Sequence, residues 1–183
     1  FNMSTLAGGP VYPDSPYALQ NIKPVSFDPS KANALLKEAG WSDSDGDGIV
    51  DKVIDGKKIK FEITILEPNK EFEKYLTVFK EDAKKQGVVF NIKLIEWNSF
   101  LKLLDERKFD AVRLGWTAVI DWDPMQIWHT KSQEGGSNFI SYSNTKVDKL
   151  IEKARIIHDR GERIKILAKA QQMIIDDVPY VWF

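Results

Sequence analysis

Between residues 58 and 117 the hydrophobic period of the chain switches back and forth between two and 3.6. From Lys58 to Glu67, Ile59, Phe61, Ile63 and Ile65 alternate with Lys60, Glu62 and Thr64, which is the pattern of a half-buried strand. Over residues 71–86, Phe72, Tyr75, Leu76, Phe79 and Ala83 share one helical stripe, and Gly87 closes it. Val88 to Trp97 reads as a second strand. Asn98 stands where it can cap a short helix carrying Phe100, Leu101, Leu103 and Leu104, and Phe109 to Thr117 reads as a third strand. Strand, helix, strand, helix, strand is an α/β succession, and it predicts a mixed sheet flanked by helices.

The flanks extend this frame. Residues 1–29 hold five of the eight prolines together with Gly8-Gly9, so residues 1–27 should run extended, as a leading segment packed on the rest. Asp28-Pro29 then opens a helix whose apolar positions are Ala32, Leu35, Leu36 and Ala39, ended by Gly40. Asp55-Gly56 predicts a tight hairpin turn. Two more helices are expected over about 146–158 and 161–177, with 179–183 leaving as a strand. Residues 28–183 are thus read as one α/β lobe.

A chain of 183 residues that is 43% hydrophobic and 29% charged has enough apolar surface for a core and is no disordered tail or coiled coil. Its formal charge of −1 gives no reason to expect nucleic acid. No apolar run approaches the ~18 residues of a membrane span. With no cysteine, disulfides and thiol chemistry are excluded together. Neither His129 nor His158 lies in a metal-ligand spacing, and there is no nucleophile elbow or phosphate loop, so no enzyme is expected.

Two stretches carry candidate chemistry. In Trp41–Asp51, oxygen-bearing residues alternate around Gly46 and Gly48 as they do in a calcium loop. Asp43, Asp45 and Asp47 would give side chains, Ile49 a carbonyl and Asp51 a water-mediated contact. The closing Glu is replaced by Ile54, so any Ca2+ site would be weak, about 0.1–1 mM. The same residues also read as an Asp/Gly-rich turn with carboxylates capping backbone N–H groups. In Arg113–Pro124, a strand end is followed by Trp116, Asp121, Trp122 and Asp123, then by a helix bearing Ile127 and Trp128. Ligands gather outside the carboxyl ends of strands in open α/β sheets. Asp123 and Trp128 read as cap and core, whereas Trp116 and Asp121 stand equally well for a binding wall or for packing.

Taken in order, these residues resemble the family 5 extracellular solute-binding proteins, the peptide-binding components of ABC importers. The likeness begins at Asp28-Pro29-Ser30-Lys31-Ala32, passes through Lys37-Glu38-Ala39-Gly40-Trp41 and continues into the Asp-Gly-Asp-Gly loop. It resumes at Phe109-Asp110-Ala111, Gly115-Trp116, Asp121-Trp122-Asp123-Pro124, Gly136-Ser137-Asn138-Phe139 and Tyr142-Ser143-Asn144, and closes at Pro179-Tyr180. The resemblance implies a type II periplasmic-binding-protein-like lobe, the C-terminal one of two, with the N-terminal lobe absent. It implies capture of a peptide or other small solute between lobes, and delivery to a permease with its ATP-binding subunit. The protein would be monomeric, periplasmic or extracellular, and anchored by lipid through a missing N-terminus, with no cofactor required. Gly115, Trp116 and Thr117 are expected to pair with the ligand backbone, with Asp121 and Trp122 beside them. In relatives an Asp three residues after the Trp receives the ligand's α-amine; here that position is Val119, and Asp121 is the nearest carboxylate. A carbohydrate-binding member of the family and a calcium-dependent structural or adhesion module are the alternatives.

Overall fold

The computed structural model describes residues 7–20, 22–117 and 119–182. Asp28 opens helix α1 (Pro29–Glu38), its Oδ1 accepting from the Lys31 N–H at 2.9 Å. Gly40 ends it with φ +84°, a left-handed conformation that lets the Trp41 N–H reach back to the Leu36 carbonyl. Strands β1 (Asp51–Ile54) and β2 (Lys57–Lys60) form an antiparallel hairpin. Asp55 and Gly56 turn it with φ of 50° and 74°, the double positive φ of a tight hairpin turn.

The strand expected over 58–67 is divided at Phe61. Its N–H donates to Val50 and its carbonyl accepts from Val89, so the chain passes there from the hairpin to a second sheet. The Phe61 ring stacks on Trp41, 4.5 Å between centroids. Strand β3 (Glu62–Glu67) is the centre of that sheet, followed by helix α2 (Glu73–Lys84), strand β4 (Val89–Leu94), helix α3 (Trp97–Asp105) and strand β5 (Ala111–Val112). The order is β4-β3-β5, all parallel, with Ile63 opposite Phe90 and Ile65 opposite both Ile92 and Ala111. Ile65, Leu76 and Phe90 form its buried core under α2.

Two local expectations are corrected. Glu96, not Asn98, caps α3, its carboxylate accepting from the Asn98 and Ser99 N–H groups at 2.9 and 3.1 Å. Asn98 loses because it already lies inside the helix. The third strand covers Ala111–Val112 rather than 109–117, because Asp110 turns its carboxylate to the Thr64 N–H and the chain leaves β3 after Arg113.

The remaining elements are helical: α4 (Met125–Trp128), α5 (Thr145–Arg155) and α6 (Arg160–Asp176). Asn144 caps α5 and Asp159 caps α6. Val147 and Ile151 of α5 and Ala170 and Ile174 of α6 enclose Trp128 and Tyr142, and Tyr180 and Trp182 pack on that cluster. Pro179 to Trp182 forms no strand, and Phe183 lies outside the described residues. The described part of residues 7–26 contains no helix or strand. Tyr17 in it is buried with Ala154 and Leu167, and its carbonyl accepts from Gln171 at 2.6 Å. The contacts divide into two compact units, Phe27–Gly115 and Phe1–Ser26 with Trp116–Phe183. The leading Pro-rich segment belongs to the second; residues 1–6 and Asn21 of it lie outside the described residues.

Candidate functional site

Parallel strands bring three chain ends to one edge of the sheet unit. At the end of β3, Glu67 is completely buried and takes both oxygens to Arg113, just past β5, with Arg113 Nη2 at 2.8 Å and Nε also bonded. The Arg113 guanidinium lies 3.7 Å from the centroid of Phe72. Beside the pair, an open groove of about 310 Å³ is lined by Glu67, Pro68, Lys70, Leu94, Ile95 and Glu96. A fully buried carboxylate requires such a partner, since alone its desolvation would be prohibitive.

Beyond Arg113 the chain carries the predicted binding residues. Gly115, Trp116 and Thr117 are all exposed and outside any helix or strand, and a side chain at Gly115 would meet nothing within 4 Å. Trp116 is 42% exposed and nearly parallel to Phe139, 6.4 Å between centroids and 8° between planes. Trp116 is therefore a supported, half-open aromatic surface. Tyr180, in the cluster around Trp128, has its ionisation pushed up by burial to about 12. Trp122 is turned differently: it packs against both hydrophobic clusters of its unit. Asp121 accepts from the Tyr17 hydroxyl at 2.9 Å and has Arg163 at 3.5 Å. Ala118 lies outside the described residues. Asp123 caps the Met125 N–H and pairs with Arg155, and Trp128 is buried in the core, as cap and core residues should be.

The loop after α4 is held by side chains. Asn138, fully buried, donates to the His129 and Tyr142 carbonyls at 3.1 and 2.8 Å and accepts from the Tyr142 N–H at 2.9 Å. His129, also buried, accepts the Lys131 N–H on Nδ1 at 3.0 Å and presents Nε2 to Glu152 at 3.3 Å. Nothing in the chain's spacing signals these partners.

In the acidic loop the carboxylates of Asp43, Asp45 and Asp51 come together, with one oxygen of each within 4.8 Å of the others. The fit to a calcium loop is incomplete. Asp43 accepts the N–H groups of Gly46, Asp47 and Gly48, the capping geometry of an Asp/Gly turn. Asp47 turns to Lys60 and to the Ile49 N–H. The Lys58 ammonium lies 2.6 Å from Asp45 and 3.3 Å from Asp51. Hydrogen bonds from Lys58 and Lys60 hold the Asp45 and Asp47 carboxyls below the usual carboxylate range. At Asp51 burial acts upward, but the Ser44 hydroxyl and N–H with Lys58 outweigh it and hold that carboxyl low as well. A metal ion here would have to displace Lys58.

The architecture is that of the type II periplasmic binding proteins. The family model of bacterial extracellular solute-binding proteins, family 5 (middle), matches residues 1–139, and the chain belongs to that family. The oligopeptide-binding protein AppA of Bacillus subtilis (strain 168) is 33% identical over 177 residues, 93% of this chain and 32% of AppA. The structure of AppA in complex with a nonapeptide matches with a TM-score of 0.87 over 97% of this chain and 36% of that one. The dipeptide-binding protein of Escherichia coli (strain K12) is 26% identical over 164 residues, 87% of this chain and 28% of that protein. NikZ from Campylobacter jejuni, solved in complex with Ni(L-His), is 27% identical with a TM-score of 0.82, over 97% of this chain and 36% of NikZ. The chain spans about a third of the length of the curated relatives it matches.

Proposed function

We propose that this protein is the substrate-binding component of an ABC importer that captures peptides outside the cytoplasmic membrane and presents them to a permease and its ATP-binding subunit. The observation that carries this reading is the exposed Gly115-Trp116-Thr117 segment, which follows the last strand in a chain of the family 5 solute-binding proteins. Its backbone, which makes no hydrogen bond to another described backbone group, can pair with an extended ligand backbone, a side-chain-tolerant mode of recognition. Trp116, backed by Phe139, offers an apolar wall for whichever side chain lies above it. The two similar AppA and dipeptide-binding proteins are named for peptides, which favours peptide over sugar as the ligand. No step of chemistry is needed, and Lys58 and Lys60 supply the positive charge that the acidic loop requires, so no metal is called for. The protein acts as a monomer.

Mass spectrometry of ligand co-purified with the intact protein tests this. Peptides of mixed sequence are the expected result, and an oligosaccharide or a metal chelate would replace the reading. Calorimetry on Trp116→Ala should show peptide binding weakened by about 1–3 kcal/mol with the fold unchanged. Unaltered binding would remove Trp116 from the site.

A further inference from the structure

Beside Trp116, the carboxylate to which a peptide's terminal ammonium could turn is Asp121, and Asp121 is already engaged. Its Oδ1 accepts from the Tyr17 hydroxyl at 2.9 Å, with Arg163 Nη2 at 3.5 Å and Arg160 Nε at 3.7 Å. The Tyr17 hydroxyl in turn accepts from Arg163 Nε and Nη2 at 3.1 and 2.8 Å. Tyr17 is only 1% exposed, and Gln171 holds its backbone carbonyl, so the phenol is a fixed post rather than a mobile partner. One carboxylate faces two guanidiniums, so cationic groups outnumber anionic ones in the cluster. An ammonium approaching Asp121 would meet charge of its own sign. The other carboxylate of the loop, Asp123, is committed to Arg155 and to the Met125 N–H. What the described loop offers openly between Trp116 and Asp121 includes Val119 and Ile120, both exposed and apolar.

We propose that Asp121 is a positioning residue, tied to Tyr17 at its own place in the chain, and that it does not read the ligand's α-amine. Resting on the peptide reading above, the substrate class at this loop is peptide selected by backbone and apolar side-chain contact, indifferent here to whether the N-terminus is charged or blocked.

Substitutions at Asp121 separate the two roles. Asparagine keeps an oxygen for the Tyr17 hydroxyl and removes the charge; alanine removes both. In the intact protein, calorimetry with one peptide in free and N-acetylated forms should give Asp121→Asn dissociation constants within about threefold of the unmutated protein for both forms. Asp121→Ala should weaken both forms by a common factor of about ten, and Tyr17→Phe, which removes the same hydrogen bond, should resemble it. If Asp121→Asn weakens the free peptide about tenfold or more and spares the acetylated one, Asp121 is the ammonium's partner and the proposal is overturned. An unmutated protein that binds neither form overturns the peptide reading itself and the proposal with it, an outcome distinguishable from the first because no variant is then involved. Should Asp121→Ala fail to fold, Asp121→Asn alone still decides.

Discussion

The two units keep their backbones satisfied by different means. In Phe27–Gly115 the ladders of β1-β2 and β4-β3-β5 carry the strand backbone, carboxylates such as Asp43 and Asp110 serve turn and edge N–H groups, and buried side chains make an apolar core and the Glu67–Arg113 ion pair. In the unit built around Trp128 there is no sheet among the described residues. Around α4, the described chain up to Asn144 is tied by side-chain groups as well as by backbone turns: Asn138 across three backbone atoms, Ser132 on the Met125 carbonyl, His129 on the Lys131 N–H. A buried backbone must be hydrogen-bonded in either case. Where loops do that work with side chains, single polar residues become as critical as core hydrophobes.

This contrast can be broken by substitution. The largest loss is expected at the sheet unit's most deeply buried charge: Arg113→Ala leaves the Glu67 carboxylate without its cation and should lower stability by about 3–5 kcal/mol in urea unfolding. A loss below ~1 kcal/mol would mean that Glu67 is not held by Arg113. Next comes Asn138→Ala, which strands the buried Tyr142 N–H and takes one of two donors from each of the His129 and Tyr142 carbonyls; about 1–3 kcal/mol is expected. Equal tolerance of Ala at Asn138 and at an exposed residue would end the comparison. Alkali probes the loop unit through Tyr180. Burial keeps Tyr180 protonated to about pH 12, whereas an unfolded tyrosine ionises near ~10, so the unfolded state loses its proton first and stability falls as pH rises between those values. The fall should reach about 2 kcal/mol by pH 12 and shrink in Tyr180→Phe. The smallest effect belongs to Asp45→Asn, which removes one exposed Lys58 contact; its change should lie within the scatter of surface substitutions and disappear in about 1 M salt. Added calcium should leave the melting curve of the unmutated protein unmoved, and a rise that Asp45→Asn abolishes would restore the metal reading.

Local signals explain why some of this was readable. The Asp28 cap, the Gly40 stop, the Asp55-Gly56 turn and the helical stripes of α2, α5 and α6 depend on neighbours within about four residues, and they appear where the periodicity places them. The division at Phe61 was hidden, because an unbroken alternation cannot reveal that the pairing partner changes from β1 to β4. At the candidate site, the exposed place of Trp116 past a strand was legible. The fate of Asp121 was not, since its partners Tyr17 and Arg163 lie about a hundred residues before it and some forty after it in sequence. Long-range charge pairing of that kind leaves no local trace. The lysines opposite the acidic loop were written in the alternation of β2, where Lys58 and Lys60 share a face.

The contact between Gln171 and the Tyr17 carbonyl bridges 154 residues, and it bears on how the nascent chain matures. Residues 27–115 are contiguous and can fold as soon as they leave the ribosome, with contacts of short sequence separation. The stretch around Tyr17 is synthesised before them yet must wait, its anchoring site on α6 not existing until almost the whole of this chain has been made. Closing that loop is the slow, non-local step. Until it happens Tyr17 lacks the cover that Ala154 and Leu167 give it.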